Sequence, residues 1–170
     1  MMVSVFDSTP PTQHKKNTFN TISWTALLVG ILDLAAATLK FYIENGGNPL
    51  PVLKFIASGL FGKEGLSGGL LMITWGIVFH FMISFLFTLF LFLIYPRVIK
   101  RLKNKFLTGI LYGAGIWIVM NQVVLPVSNT PSLPFDFIQA IIGVLILMIT
   151  MGIPIALAAD KHYLSRGQVS

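Results

Sequence analysis

Four long apolar stretches constrain the fold of this chain more than any other feature of its sequence. They cover residues 22–43, 67–95, 106–127 and 135–159. A helix needs about 20 mostly apolar residues to cross the hydrocarbon core of a membrane, and each stretch is long enough. The second stretch is expected to end at Tyr95, because the proline that follows disfavours helical conformation in the residue before it. The sequence therefore predicts an all-α integral membrane protein, a bundle of four transmembrane helices.

The composition supports this prediction, because the chain has too few charged residues to cover a water-soluble surface. Hydrophobic residues make up 55% of the chain and charged residues 11%, whereas soluble domains contain about 25% charged residues. Such high hydropathy also excludes an intrinsically disordered chain. The absence of cysteine excludes disulfides, thiol catalysis, iron–sulfur clusters and cysteine-based zinc sites. We predict no cofactor and no metal site.

The rest of the chain divides into two tails and one substantial connection. Residues 1–21 are predicted to form a polar tail, residues 22–159 a single membrane domain and residues 160–170 a second tail. Between the first two spans, turn-forming residues at 45–49 precede an apolar segment at 50–61. This segment is too short to cross a membrane, so we predict a short helix that is interfacial or re-entrant.

Basic residues are distributed unevenly between the two sides of the predicted bundle. The connection between the second and third spans carries five of them: Arg97, Lys100, Arg101, Lys103 and Lys105. An even number of spans places both tails on that same side, where they add Lys15, Lys16, Lys161 and Arg166. The opposite side carries Lys40, Lys54 and Lys63. The positive-inside rule therefore predicts cytoplasmic termini, and we attribute the net charge of +6 to topology and anionic lipids rather than to nucleic-acid binding.

Small residues recur at helical spacing on one face of each span. Helices in lipid associate through such faces, because small side chains let two backbones approach closely. The residues that we expect at the helix contacts are Gly30, Ala37, Gly76, Gly109, Gly113 and Gly143. These faces predict a compact bundle.

Two ionisable residues fall near the middle of their spans, Asp33 in the first and His80 in the second. A central Asp costs about 2.5–3.5 kcal/mol on membrane-insertion scales, so it should face the bundle interior and have a partner. We therefore predict a direct contact between Asp33 and His80. Further polar residues lie toward the outer half of the bundle and extend this predicted intramembrane polar site: Lys40, Asn121, Gln122 and Gln139.

The residues leave two interpretations of the Asp33–His80 pair open. The pair is either structural, a hydrogen bond that sets the register of two helices, or a protonatable site in a cavity open to the outside. The second interpretation draws on the ability of histidine to titrate near neutral pH. Serine, histidine and aspartate all occur in the chain, but nothing resembles a nucleophile elbow, and we predict no catalytic residues.

Residues 75–134 resemble the YagU-like families of bacterial inner-membrane proteins. The residues that carry the resemblance are His80, Tyr95-Pro96-Arg97, Gly109, Tyr112-Gly113, Trp117, Val124, Pro126, Thr130-Pro131 and Leu133-Pro134. The similar families carry further histidines in the third and last spans. Here the third span has Asn121-Gln122 and the last span has no histidine, so the resemblance does not extend to a multi-histidine site. It implies a small protein of the bacterial inner membrane and no particular activity.

The sequence favours a non-enzymatic accessory protein with a structural or assembly role in the membrane. Its predicted partners are the lipid bilayer and either further copies of itself or the subunits of a larger membrane complex. The alternative is a proton-linked transporter or channel component that uses Asp33, His80 and Lys40. An intramembrane enzyme built on the same pair is a third hypothesis. A transporter requires a hydrated path to Asp33, and that requirement separates it from an accessory protein.

Overall fold

The chain folds as an all-helical membrane bundle in a computed structural model that describes residues 17–131 and 134–167. Four helices in these ranges are long and apolar enough to cross a membrane, which confirms the predicted fold class. Two short helices lie between the first and second of them. In chain order the helices are α1 (Thr18–Asn45), α2 (Leu50–Phe61), α3 (Lys63–Ser67), α4 (Leu70–Leu102), α5 (Lys105–Val127) and α6 (Phe137–Leu164).

The first helix begins and ends at residues suited to those positions. The Asn17 side chain accepts a hydrogen bond from Phe19 N at 3.3 Å and so caps the N-terminus. Gly46 adopts a left-handed conformation with φ 63°, and its N–H donates to Tyr42 O at the C-terminus. The predicted tail covers residues 1–21, but α1 already begins at Thr18, four residues before the predicted span. Residues 1–16 of that tail lie outside the described residues.

The prediction that the second span ends at Tyr95 is wrong, because α4 continues through Pro96 to Leu102. Proline at this position cannot donate a hydrogen bond to the carbonyl oxygen of Phe92, four residues earlier. The hydroxyl of Tyr163 on α6 donates to that same oxygen at 2.7 Å. A neighbouring helix therefore supplies the hydrogen bond that the proline removes, and α4 does not have to end.

Helices α5 and α6 each contain a wide π-helical turn shortly before a proline. These turns cover Met120–Val124 and Met148–Gly152, and Pro126 and Pro154 follow. Such turns occur where a helix accommodates a residue that breaks its regular hydrogen bonding. The second turn lies where α6 crosses α5, at the centre of the bundle.

The crossing of α5 and α6 is a contact between backbones. A Cβ atom added to Gly113 would lie 2.5 Å from Met148 Cα, and one added to Gly109 would lie 2.6 Å from Ile153 Cα. Gly152 on α6 faces Gly109 and Gly113 so closely that a Cβ there would collide with both. Glycines at these positions are what allow the two helices to approach.

Helix α2 packs on the bundle rather than lying apart from it. Gly76 of α4 lies directly against the carbonyl group of Leu53, with no room for a side chain. The loop after α5 holds the other end of α2, because Asn129 donates from its backbone and side-chain nitrogens to Gly59 O and Leu60 O, each at 3.0 Å. These hydrogen bonds satisfy carbonyl groups that the end of a helix leaves free.

A two-residue joint reverses the chain between α4 and α5. Lys103 adopts a left-handed conformation with φ 52°, and its N–H donates to Ile99 O at 2.8 Å. Asn104 then caps α5, accepting from Phe106 N at 2.9 Å and from Leu107 N at 3.2 Å. The joint, the start of α5 and the end of α6 form one end of the bundle, here called the basic end. The opposite end, formed by the end of α1 and the start of α6, is called the cavity end.

The buried core lies between α1, α4, α5 and α6, nearer the basic end. It consists mainly of Ile22, Val29, Leu91, Phe92, Tyr95, Ile99, Ile116, Met151, Ile155, Ala156 and Ala159. Many large apolar side chains on the outer faces of the same helices are exposed, as expected for a surface in contact with lipid.

Candidate functional site

Asp33 on α1 has its hydrogen-bond partner on α6. The Thr150 hydroxyl oxygen lies 2.9 Å from Asp33 Oδ1, across a sequence separation of 117 residues. Thr150 belongs to the π-helical turn Met148–Gly152, which places its hydroxyl toward α1. The bond therefore joins the first and last spans near the middle of the bundle.

His80 on α4 binds the backbone of α1. Its Nε2 atom donates to the carbonyl oxygen of Gly30 at 2.8 Å, and the histidine is 9% exposed. Gly30 itself lies against α4, since a Cβ there would be 2.8 Å from the ring of Phe81 and 3.2 Å from Ser84 Oγ. Close approach of the two helices thus brings the Gly30 carbonyl within reach of the imidazole.

The predicted direct contact between Asp33 and His80 is therefore wrong. Among the residues that the structure describes, no hydrogen bond or ion pair joins the two side chains, and each is bonded to a different helix. The physical reason is that each side chain has a closer partner. The Gly30 carbonyl is the partner of the His80 imidazole, and the Thr150 hydroxyl is the partner of the Asp33 carboxylate.

The other four predicted polar residues meet in a cavity at the cavity end, here called the end cavity. It has a volume of about 620 Å³ and is lined by Lys40, Asn121, Gln122 and Gln139 together with residues of α2 and of the loop between α5 and α6. Asp33 and His80 are not among the lining residues. The predicted site thus separates into a cavity at the end of the bundle and two hydrogen bonds between helices, one buried and one partly buried.

Charged groups of both signs line the end cavity. Lys40 Nζ and Glu44 Oε2 form an ion pair at 3.0 Å, and their side chains are 27% and 35% exposed. Gln139 lies beside the same carboxylate. Asp136 caps α6 through Oδ1, which accepts from Ile138 N at 2.8 Å and Gln139 N at 3.1 Å. These groups add charge to a wall that also contains the amides of Asn121 and Gln122 and apolar side chains such as Phe55 and Trp117.

The remaining predicted packing residues lie in four different surroundings. Gly143 lies beneath the ring of Trp117, since a Cβ there would be 2.9 Å from the indole Nε1. Gly76 contacts α2, and Gly109 and Gly113 contact α6. Ala37 is half-buried on α1, between Asp33 and Lys40.

A second polar cluster, at the basic end, was not predicted. Asp160 on α6 is 7% exposed and accepts from two other spans, from Tyr95 Oη at 3.0 Å and from Lys105 Nζ at 3.1 Å. In the sequence, Asp160 falls in the predicted tail 160–170 and Lys105 in the predicted basic loop. The sequence does contain a signal for this contact. Asp160 is the single acid in the two basic segments 97–105 and 160–170, so a basic partner for it could be expected there.

His162 and Tyr163 extend this cluster along α6. His162 is 5% exposed, and its ring lies 5.8 Å from that of Phe92 and 5.4 Å from that of Tyr163. In the part of the chain that the structure describes, its Nε2 atom is the buried side-chain nitrogen without a hydrogen-bond partner. The Tyr163 ring stacks on Tyr95 at 5.9 Å. The aromatic packing therefore includes Tyr95, the residue whose hydroxyl donates to Asp160.

The predicted basic loop lies at the same end. Its exposed members are Arg97, Lys100, Arg101 and Lys103, whereas Lys105 is half-buried against Asp160. Within residues 17–131 and 134–167, no group of three or more His, Asp or Glu side chains is placed to hold a metal ion. At this end, the described residues form hydrogen bonds and one ion pair between helices.

No protein-family model, no curated protein and no solved structure matches the chain.

Proposed function

We propose that the chain is a non-enzymatic accessory protein of the bacterial inner membrane, with a structural or assembly role. The observation that carries this proposal is that three ionisable groups within the helices are hydrogen-bonded to neighbouring helices. Asp33 binds Thr150, His80 binds the Gly30 backbone, and Asp160 binds two further spans. Interhelical hydrogen bonds of this kind stabilise membrane bundles. Asp33, His80 and Asp160 are thus engaged in holding helices together.

The proposed orientation has both termini in the cytoplasm, with the basic end facing inward. The four exposed basic residues of the loop lie within or next to the last turns of α4, where anionic headgroups of the cytoplasmic leaflet would meet them. The end cavity then faces the outside of the cell. The resemblance to the YagU-like families is consistent with this location.

The proposed partners are the bilayer and, within it, either further copies of the chain or subunits of a larger complex. The lateral surface of the bundle offers exposed aromatic and aliphatic side chains that would contact lipid or a partner helix, such as Trp24 at 66% and Phe90 at 54% exposure. Native electrophoresis of gently solubilised membranes should give a species larger than the 18.8 kDa chain in its detergent micelle. Migration as a lone chain in every mild detergent would contradict an assembly role.

A proton-linked transporter or channel component remains the second candidate. The observation in its favour is that two ionisable residues, Asp33 and His80, lie within the spans, each hydrogen-bonded to a neighbouring helix. Lys40 lines the cavity about two helical turns above Asp33 on the same helix. Transport along this route requires water between Lys40 and Asp33.

The cysteine-free chain allows the two functions to be distinguished by thiol labelling. Gln139→Cys reports on the end cavity, and Ala37→Cys reports on the wall of α1 between Lys40 and Asp33, without altering either ionisable group. The accessory function predicts rapid reaction of Gln139→Cys with a charged, membrane-impermeant maleimide and protection of Ala37→Cys. Ser84→Cys, at a site 1% exposed, provides the buried control. Comparable labelling at positions 37 and 139 would favour the transporter.

A flux measurement tests the same distinction directly. The purified chain is reconstituted into vesicles that contain a pH-sensitive dye, and a pH gradient is imposed. We expect proton entry no faster than in protein-free vesicles. Flux that is present with the natural chain and abolished by Asp33→Asn would overturn the accessory function.

A further inference from the structure

The end cavity has the size and the mixture of groups of a small-molecule site. Its volume of about 620 Å³ lies within the range of about 300–1,000 Å³ that is typical of ligand pockets. Four parts of the chain contribute to it: the end of α1, Phe55 of α2, the end of α5 with the loop that follows, and the start of α6. The ion pair between Lys40 and Glu44 lies in its wall.

The charges of the lining residues select for a particular ligand chemistry. Two carboxylates, Glu44 and Asp136, line the cavity with a single ammonium group, that of Lys40. The two carboxylates outnumber the single ammonium group of the protein. A carboxylate acceptor is therefore available to a second ammonium group, one carried by a ligand. An anionic group on the same ligand would find Lys40 as its donor.

The uncharged part of the wall suits a compact ligand of this type. Trp117 and Phe55 contribute aromatic surface, which attracts ammonium groups as well as apolar ones. Asn121, Gln122 and Gln139 contribute amides that can both donate and accept hydrogen bonds. The side chains of Lys40 and Glu44 are partly exposed, so a ligand can reach both.

We propose that the end cavity binds a zwitterion, with the ligand's ammonium group at Glu44 and its anionic group at Lys40. Binding exchanges the Lys40–Glu44 ion pair for two ion pairs with the ligand. The chemistry fits a zwitterionic lipid headgroup from the adjacent leaflet and a free zwitterion such as an amino acid. This site goes beyond the accessory function and does not depend on it.

Fluorescence of Trp117 provides a direct measurement, because this side chain lines the cavity. The variant Trp24→Phe/Trp75→Phe leaves Trp117 as the single tryptophan of the full chain. It is purified in an uncharged detergent and titrated with three probes: glycerophosphoethanolamine, β-alanine and a short-chain phosphatidylethanolamine. Propylamine and propionate, which carry one charge each, serve as ligand controls.

We expect a saturable change in emission with at least one zwitterionic probe and none with the singly charged controls. Saturation by β-alanine or glycerophosphoethanolamine identifies a free zwitterion as a sufficient ligand. Saturation by the short-chain lipid alone identifies the headgroup in its membrane context. The absence of a saturable response to all three zwitterions would overturn the proposal, as would equal responses to propylamine.

A matched pair of substitutions tests whether the carboxylate in the cavity is responsible. Glu44→Gln should weaken zwitterion binding by about tenfold or more, since it removes a charged hydrogen-bond partner. Glu64→Gln removes an exposed acid of α3 that is not among the lining residues, and should leave the affinity unchanged. Equal affinities for the natural chain and Glu44→Gln would exclude the assigned position of the ligand's ammonium group.

Discussion

Asp33 on α1 and Thr150 on α6 are joined through a hydroxyl group that has two acceptors within reach. Thr150 Oγ1 lies 2.9 Å from Asp33 Oδ1 and also 2.9 Å from the carbonyl oxygen of Ile146. A hydroxyl group has a single proton to donate, so it cannot donate fully to both. The contact between the first and last spans is therefore sensitive to whether residue 33 can itself act as a donor.

This arrangement predicts opposite results for two substitutions at the same contact. Asp33→Asn should preserve or increase stability, because the amide nitrogen can donate to Thr150 Oγ1 and leave the hydroxyl proton for Ile146. Thr150→Val should lower the free energy of unfolding by about 0.6–2 kcal/mol, the range for interhelical hydrogen bonds in membranes. Titration with sodium dodecyl sulfate in mixed micelles, followed by circular dichroism, measures both. Equal losses for the two variants would contradict this account.

The hydroxyl of Tyr163 replaces the hydrogen bond that Pro96 removes from α4, and this relationship predicts a coupling between the two residues. Tyr163→Phe should cost about 1 kcal/mol of stability in the natural chain, since the Phe92 carbonyl loses its donor. In a Pro96→Ala background the same substitution should cost less, because the introduced alanine can supply a backbone N–H to the Phe92 carbonyl. A double-mutant cycle measures the difference. Additive effects of the two substitutions would show that the hydroxyl does not compensate for the proline.

Hydropathy alone was sufficient to predict the four spans and the short helix between the first two. Their lengths follow from the thickness of the hydrocarbon core, which acts on each segment separately. The end of α4 could not be predicted in this way. Its continuation past Pro96 depends on Tyr163, which lies 71 positions beyond Phe92 in the chain, and a local rule for proline contains no information about such a partner.

For the polar site, the sequence predicted which residues lie at the same end of the bundle but not which atoms they contact. Sequence gives the depth of a residue in its span and the face of its own helix, and this was enough to group Lys40, Asn121, Gln122 and Gln139 at one end. It does not give the partner of a side chain across a helix interface. The partner of His80 is a backbone carbonyl, which has no signature in the pattern of residue types.

The cluster at the basic end predicts a measurable coupling between Asp160 and Lys105. Their side chains are 11% and 43% exposed, so solvent screens the ion pair in part. Asp160→Asn and Lys105→Met together should reveal a coupling energy of about 1 kcal/mol in a double-mutant cycle of unfolding. Lys103→Met, at an exposed position two residues earlier, is the matched control and should show no coupling to Asp160. Similar coupling at positions 103 and 105 would indicate a diffuse charge effect.

The glycine contact between α5 and α6 gives the sharpest prediction about the bundle itself. Gly152→Ala places a methyl group against the backbone of Gly109 and Gly113, which cannot move aside without separating the helices. We expect a loss of more than about 2 kcal/mol in the free energy of unfolding, comparable with other overpacked contacts.

Gly115 on α5 provides a matched control for the same substitution, because a Cβ there would have no neighbouring atom within 4 Å. Gly115→Ala should leave stability unchanged or raise it by about 0.5–1 kcal/mol, since alanine favours helix over glycine. Both variants are measured by the same detergent titration, with helix content checked by circular dichroism before unfolding. If Gly152→Ala were as stable as Gly115→Ala, the two helices would not cross at these glycines. That result would also question the position of Thr150, because Thr150 lies in the same turn as Gly152 and its contact with Asp33 depends on where that turn packs.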